Sequence, residues 1–161
     1  KKSKNQQKIK MKFNFFLLLL SSLIAVALSQ LPPPHKGKIG VYSGIRFWAL
    51  DGHKKVDLKL HGLEWTFKHL YKNVYSISPP GGGYVRYNGD GKQLNVTHPH
   101  SHIIPPKAQW KIIVSPLTIY PPIYYICSEF YPSECATVSG RKVIAKKRDR
   151  HLRQSWKIGN F

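Results

Sequence analysis

Charge and imidazole are the chemistry this chain offers in quantity. Arg141, Lys142, Lys146, Lys147, Arg148, Arg150 and Arg153 crowd one short stretch, with Asp149 as the sole acid among them. Lys146 to Arg153 is expected to protrude as a loop. Such a run can grip a sulfated or phosphorylated polymer, be cut by a protease that reads basic residues, or form a solvated face. His98-Pro99-His100-Ser101-His102 sets three imidazoles at alternate positions. In extended backbone, alternate residues face one way, and zinc or copper binds such sets. No Cys, Asp or Glu stands close by, however, so no metal is assigned and a polar loop is the simpler reading.

Catalytic constellations are missing. The chain has no nucleophile elbow, Gly-rich phosphate loop or zinc-protease helix motif. Its 7 acidic residues form no recognisable acid/base pair. It is expected to bind rather than catalyse, and to need no cofactor.

The partners follow from charge and compartment. Residues 1–10 read as a translated upstream segment. Residues 11–29 read as a secretory signal: Met11, a basic Lys12, an apolar run from Phe15 to Leu28, and small Ala27 and Ser29 before the cut. That run is too short for a spanning helix, and no later segment is long and apolar enough to span. Of the 26 Lys and Arg, 6 precede Gln30, leaving 20 against 7 acids, a mature net charge of +13. A secreted protein so basic should hold polyanions such as acidic glycans. The export signal argues against nucleic acid as a partner. In an oxidising compartment Cys127 and Cys135 can pair across two antiparallel strands; the alternative is two buried thiols. Asn95-Val96-Thr97 is a glycosylation sequon, which fits export.

The elements that must position these groups are strands. Short runs rich in Val, Ile, Tyr, Phe and Trp alternate with Gly, Pro, Asn and Asp, and no helical period is sustained. Residues 30–38 form a Pro-rich lead-in. After it, Trp65, Trp110 and Trp156 recur at 45 and 46 residues, each followed two positions on by an apolar residue. That is one unit repeated three times around a shared core. The expected strands of the three units open at Val41-Tyr42-Ser43, Val74 to Ile77 and Ile123 to Ile126. Second strands follow at Phe47 to Leu50, Tyr84 to Tyr87 and Ala136 to Val138. Third strands follow at Val56 to Leu60, Gln93 to Val96 and Lys142 to Ala145, and the Trp strand closes each unit. The turns between second and third strands, Asp51 to Lys55, Asn88 to Lys92 and Ser139 to Arg141, each hold a Gly. The count is twelve strands, all-β, in one domain.

Three four-strand units closing on Trp-x-apolar resemble a β-trefoil over 39–159, a six-stranded barrel capped by three hairpins. Gln154-Ser155-Trp156-Lys157-Ile158 is similar to the Gln-x-Trp signature of ricin-B-type lectins. The first two units carry Leu63 and Ala108 in place of the Gln. Lectins of this kind bind sugar through an early acidic residue, for which Asp51 and Asp90 are the candidates. The layout also resembles secreted fungal serine protease inhibitors. That resemblance implies an exposed loop at Asp51 to Lys55, with Lys54 or Lys55 filling the pocket of a trypsin-like enzyme. Pro79 to Gly83 is a second loop candidate. The leading expectation is a secreted serine protease inhibitor, and the alternative is a carbohydrate-binding trefoil favouring anionic glycans. The partner is thus an extracellular protease or a glycan.

Overall fold

Each closing strand buries its tryptophan and the apolar residue two positions on: Trp65 and Phe67, Trp110 and Ile112, Trp156 and Ile158. That period of two is the pleat of a strand with one face on the core. The computed structural model describes residues 14–20, 32–98, 103–115, 121–149 and 151–161. Twelve strands carry the fold: β1 (Lys36–Val41), β2 (Phe47–Leu50), β3 (Val56–Lys59), β4 (Trp65–Tyr71), β5 (Val74–Ser78), β6 (Tyr84–Arg86), β7 (Asn95–Thr97), β8 (Trp110–Val114), β9 (Ile123–Ser128), β10 (Glu134–Ser139), β11 (Lys142–Lys147) and β12 (Trp156–Gly159).

Six of them close a barrel. β1 pairs with β4 and with β12, β4 with β5, β5 with β8, β8 with β9, and β9 with β12, all antiparallel. The other six form the hairpins β2–β3, β6–β7 and β10–β11. Each hairpin touches the next: Lys55 bridges Asn95, Gln93 bridges Ile144, and Lys142 pairs with Asp57. A closed barrel under a ring of three hairpins is a β-trefoil, and closure leaves the barrel no free edge.

The three closing tryptophans do one job three times. Their indole N–H groups donate to a carbonyl of the second strand of their own repeat. Trp65 reaches the Trp48 carbonyl at 3.3 Å, Trp110 that of Val85 at 2.8 Å, and Trp156 that of Ala136 at 3.0 Å. A fully buried indole thus satisfies its polar end. The acceptors also expose an asymmetry. Trp48 fills the place held by Val85 and Ala136 in the other repeats. It lies edge-on to Trp65 and Trp156, with ring centroids 5.8 and 5.3 Å apart.

Cys127 of β9 and Cys135 of β10 sit directly opposite one another and form a disulfide. It closes the connection that carries Phe130 and Tyr131.

Several strand boundaries differ from expectation, those of β1, β7, β10 and β11 among them. β1 begins at Lys36, inside the segment expected as a lead-in, and ends at Val41, where the first strand was expected to open. Gly37 permits this: a Cβ there would lie 3.2 Å from the Gly159 backbone, so the strand packs closer to the C-terminal segment than a side chain allows. Lys146 and Lys147, expected in a loop, are the last residues of β11, paired with Cys135 and Glu134. The remaining segment is short, and Leu152–Gln154 is a 3-10 turn. Residues 14–20 are helical, and no described helix is long and apolar enough to cross a membrane. The proposed upstream segment and the signal cleavage point lie outside the described residues.

Candidate functional site

The Asp51–Lys55 turn is knitted to itself. The Asp51 carboxylate accepts from the amides of His53 and Lys55, both at 2.8 Å. Desolvation pushes its pKa up, but the Lys55 and His53 amides outweigh it and hold the group below its ordinary range. The residue with positive φ is Lys54, at 59°, while Gly52 is not in that region. The Lys54 carbonyl accepts from the Val96 amide at 2.8 Å, and Lys55 bridges Asn95. An inhibitor loop offers extended backbone to a protease cleft. Here the left-handed turn residue has its carbonyl committed to the neighbouring hairpin. Asp51 likewise spends its carboxylate on the turn, whereas Asp90 is exposed.

The basic run is not uniformly exposed. Lys146, Lys147 and Arg153 are exposed. Arg148 is half-buried, its guanidinium 4.7 Å from the centroid of Tyr125, and its amide donates to Ser133. Arg150 lies outside the described residues. Gln154, the signature glutamine, is fully buried. Its amide nitrogen donates to Thr137 Oγ1 and to the Lys147 carbonyl, both at 2.9 Å, and its oxygen accepts from the Asp149 amide. The residue therefore fastens the end of β11 to the closing strand and has no donor left for a sugar. Asn95 is half-buried in β7, and its side-chain oxygen accepts from Asn88. His98 is exposed, while His100 and His102 lie outside the described residues. Among the described residues, no group of His, Cys, Asp or Glu is placed to hold a metal.

A different set of residues converges on an open cleft of about 410 Å³. Arg86 comes from β6, Thr97 and His98 from the end of β7, Pro105 to Lys107 from the approach to β8, and Phe130 from the β9–β10 connection. No carboxylate lines it. Phe130 keeps 44% of its surface exposed, with the Lys107 ammonium 5.3 Å from its ring centroid. Behind it Tyr131 packs edge-on at 4.8 Å, and Tyr87 lies 5.3 Å from Tyr131. The Tyr87 hydroxyl donates to Glu134 at 2.5 Å. Burial, then that hydrogen bond, pushes the phenol far above its ordinary pKa, so it remains a neutral donor.

The backbone around this cluster is fixed. The Tyr87 amide donates to the Lys107 carbonyl at 2.8 Å, the Gln109 side chain to the Ile104 carbonyl at 3.1 Å, and the Glu129 amide to the Gln109 carbonyl at 3.0 Å. A rigid aromatic face beside a guanidinium, an ammonium and an imidazole can stack an apolar ring face and hold an anion at its edge. Sequence reading singled out His98 alone among these residues. The overlooked signal was Phe130-Tyr131 within the seven residues between the cysteines, where an aromatic pair has little core to enter.

No family model matches the chain, and no curated protein matches it. Solved structures do. A Culex salivary protein of the Cysteine and Tryptophan-Rich (CWRC) family superposes with a TM-score of 0.65 at 17% identity, over 83% of this chain and 98% of that one. SeviL, bound to asialo-GM1 saccharide, gives 0.62 at 16% identity, over 78% and 97%. The designed 3-fold symmetric protein ThreeFoil gives 0.60 at 10% identity, over 79% and 99%. These likenesses establish the trefoil fold.

Proposed function

We propose that the protein is a secreted, carbohydrate-binding β-trefoil that favours anionic glycans. The observation that carries this reading is the cleft of Arg86, His98, Lys107 and Phe130, cationic and aromatic with no acid in its lining. A sugar ring stacks on Phe130, while a sulfate or carboxylate at its edge meets the Arg86 fork and the Lys107 ammonium. That SeviL holds a saccharide supports a glycan role for this fold. Selectivity for anionic sugars rests on this chain's own cations.

The test is binding of a heparin-derived tetrasaccharide and of its desulfated counterpart at physiological salt, by calorimetry. The sulfated form should bind and the desulfated form should bind at least about tenfold more weakly, a difference on the scale of one charge-assisted contact. Arg86→Ala with Lys107→Ala should remove most of that difference at this cleft. Equal binding of the two saccharides, or no binding of either, would overturn the proposal.

A further inference from the structure

A second opening, of about 420 Å³, shares no residue with the first. Three separate stretches of chain line it. Arg46 precedes β2, Leu58 to His61 run through the end of β3, and Arg141 stands in the β10–β11 turn. Arg46, Lys59 and Arg141 bring three permanent positive charges to one rim, and no lining residue is acidic. Asp57, the acid of β3, stands opposite Lys142 in the strand register and is not among the lining residues. Leu60 adds an apolar surface that is 60% exposed.

The rim is held in place. The Arg46 carbonyl accepts from the Val41 amide at 2.9 Å, and the Arg141 carbonyl from the Leu58 amide at 2.7 Å. The Lys59 ammonium donates to the Leu50 carbonyl at 2.7 Å, which keeps the charge near the strand. Past His61 the chain presses on Phe47 so closely that a Cβ at Gly62 would lie 2.3 Å from the Phe47 Cβ. Like charges on one rim repel one another, and an anion that sits among them relieves that repulsion. The volume suits one or two sugar units, and a guanidinium fork matches the oxygens of a sulfate.

We infer that this opening is a second, independent site for a sulfated glycan segment, so that one chain holds two such segments at once. The ligand class rests on the glycan reading proposed above, while the site rests on its own residues. Two sites on one rigid body let a single molecule bridge two polymer chains and hold a multivalent surface by avidity.

Protein expressed from the full chain is titrated with the heparin-derived tetrasaccharide. Two tetrasaccharides should bind per chain. Arg46→Ala with Arg141→Ala should lower this to one, leaving the site of Arg86 and Lys107 intact. The parent should also precipitate long heparin chains, and this variant should not. Both substituted side chains are exposed, so a thermal melt should match the parent. As a check free of mutation, a photo-reactive tetrasaccharide on the parent protein should label peptides covering 46–61 as well as those of the first cleft. One tetrasaccharide per chain with no label on 46–61 overturns the second site and leaves the first standing. No binding at all defeats both readings. Labelling of 46–61 by anionic phospholipid vesicles, with none by the tetrasaccharide, overturns the glycan assignment in favour of a membrane surface.

Discussion

At the residue scale, Asp51 and Lys54 decide what the first hairpin turn can be. Asp51 caps the turn with two backbone hydrogen bonds, and Lys54 takes the left-handed conformation that glycine takes in the other two turns, at Gly89, Gly91 and Gly140. A non-glycine residue there is disfavoured, and the neighbouring repeat compensates through Val96 and Asn95. The cap is therefore structural. Asp51→Ala should destabilise the fold by about 1 kcal/mol in urea denaturation at neutral pH, the net scale of such hydrogen bonds. The pH dependence has a definite sign. The folded-state pKa of Asp51 lies below its unfolded value. The stabilisation is complete above the unfolded carboxylate pKa of about 3.9 and is lost as pH falls through the folded one. The difference between parent and Asp51→Ala should therefore shrink in acid below pH about 4. A difference that stays constant into acid would mean that the charge of Asp51 contributes nothing.

At the scale of elements, the legible part of the fold was the part that repeats. Trp65, Trp110 and Trp156 announce the closing strands because three equivalent sites need the same buried ring with the same hydrogen bond. Trp48 could not be read in that way. It occurs once, and it fills a volume that two smaller residues fill elsewhere. The paired cysteines were legible from their spacing and from the expectation of export, but not what their bridge supports. The first cleft was illegible for a related reason. Arg86, Lys107 and Phe130 come from two repeats and carry no common motif, so the barrel alone brings them together. The β9–β10 disulfide closes the loop that carries Phe130. Replacing Cys127 and Cys135 by Ala should cost about 2–3 kcal/mol in denaturant unfolding, as expected for so short a loop. The same change should weaken tetrasaccharide binding at the first cleft several-fold and leave the second unaltered. Unchanged binding at both would show that Phe130 needs no bridge to keep its place.

At the scale of the whole molecule, the question is whether charge or shape selects the ligand. Residues 30–161 carry 20 Lys and Arg against 7 acids, a balance that attracts any polyanion at low salt. Contacts of that kind act through counterion release, so log K falls with log salt in proportion to the charges engaged. They are indifferent to where a sulfate sits on the sugar. Contacts inside a fixed cleft lose affinity with salt as well, but they also rank one sulfation pattern above another. The two contributions separate by variant. Lys146→Ala, Lys147→Ala and Arg153→Ala together remove exposed charge outside both clefts. That triple variant should flatten the salt dependence of heparin binding while preserving the ranking of differently sulfated tetrasaccharides. Arg86→Ala with Lys107→Ala should flatten the salt dependence and also compress the ranking. Affinities measured for each variant across a series of salt concentrations decide the matter. If the triple variant loses the ranking and the cleft variant keeps it, selectivity resides in the end of β11 and the segment after it, and the cleft is not where the sugar is read.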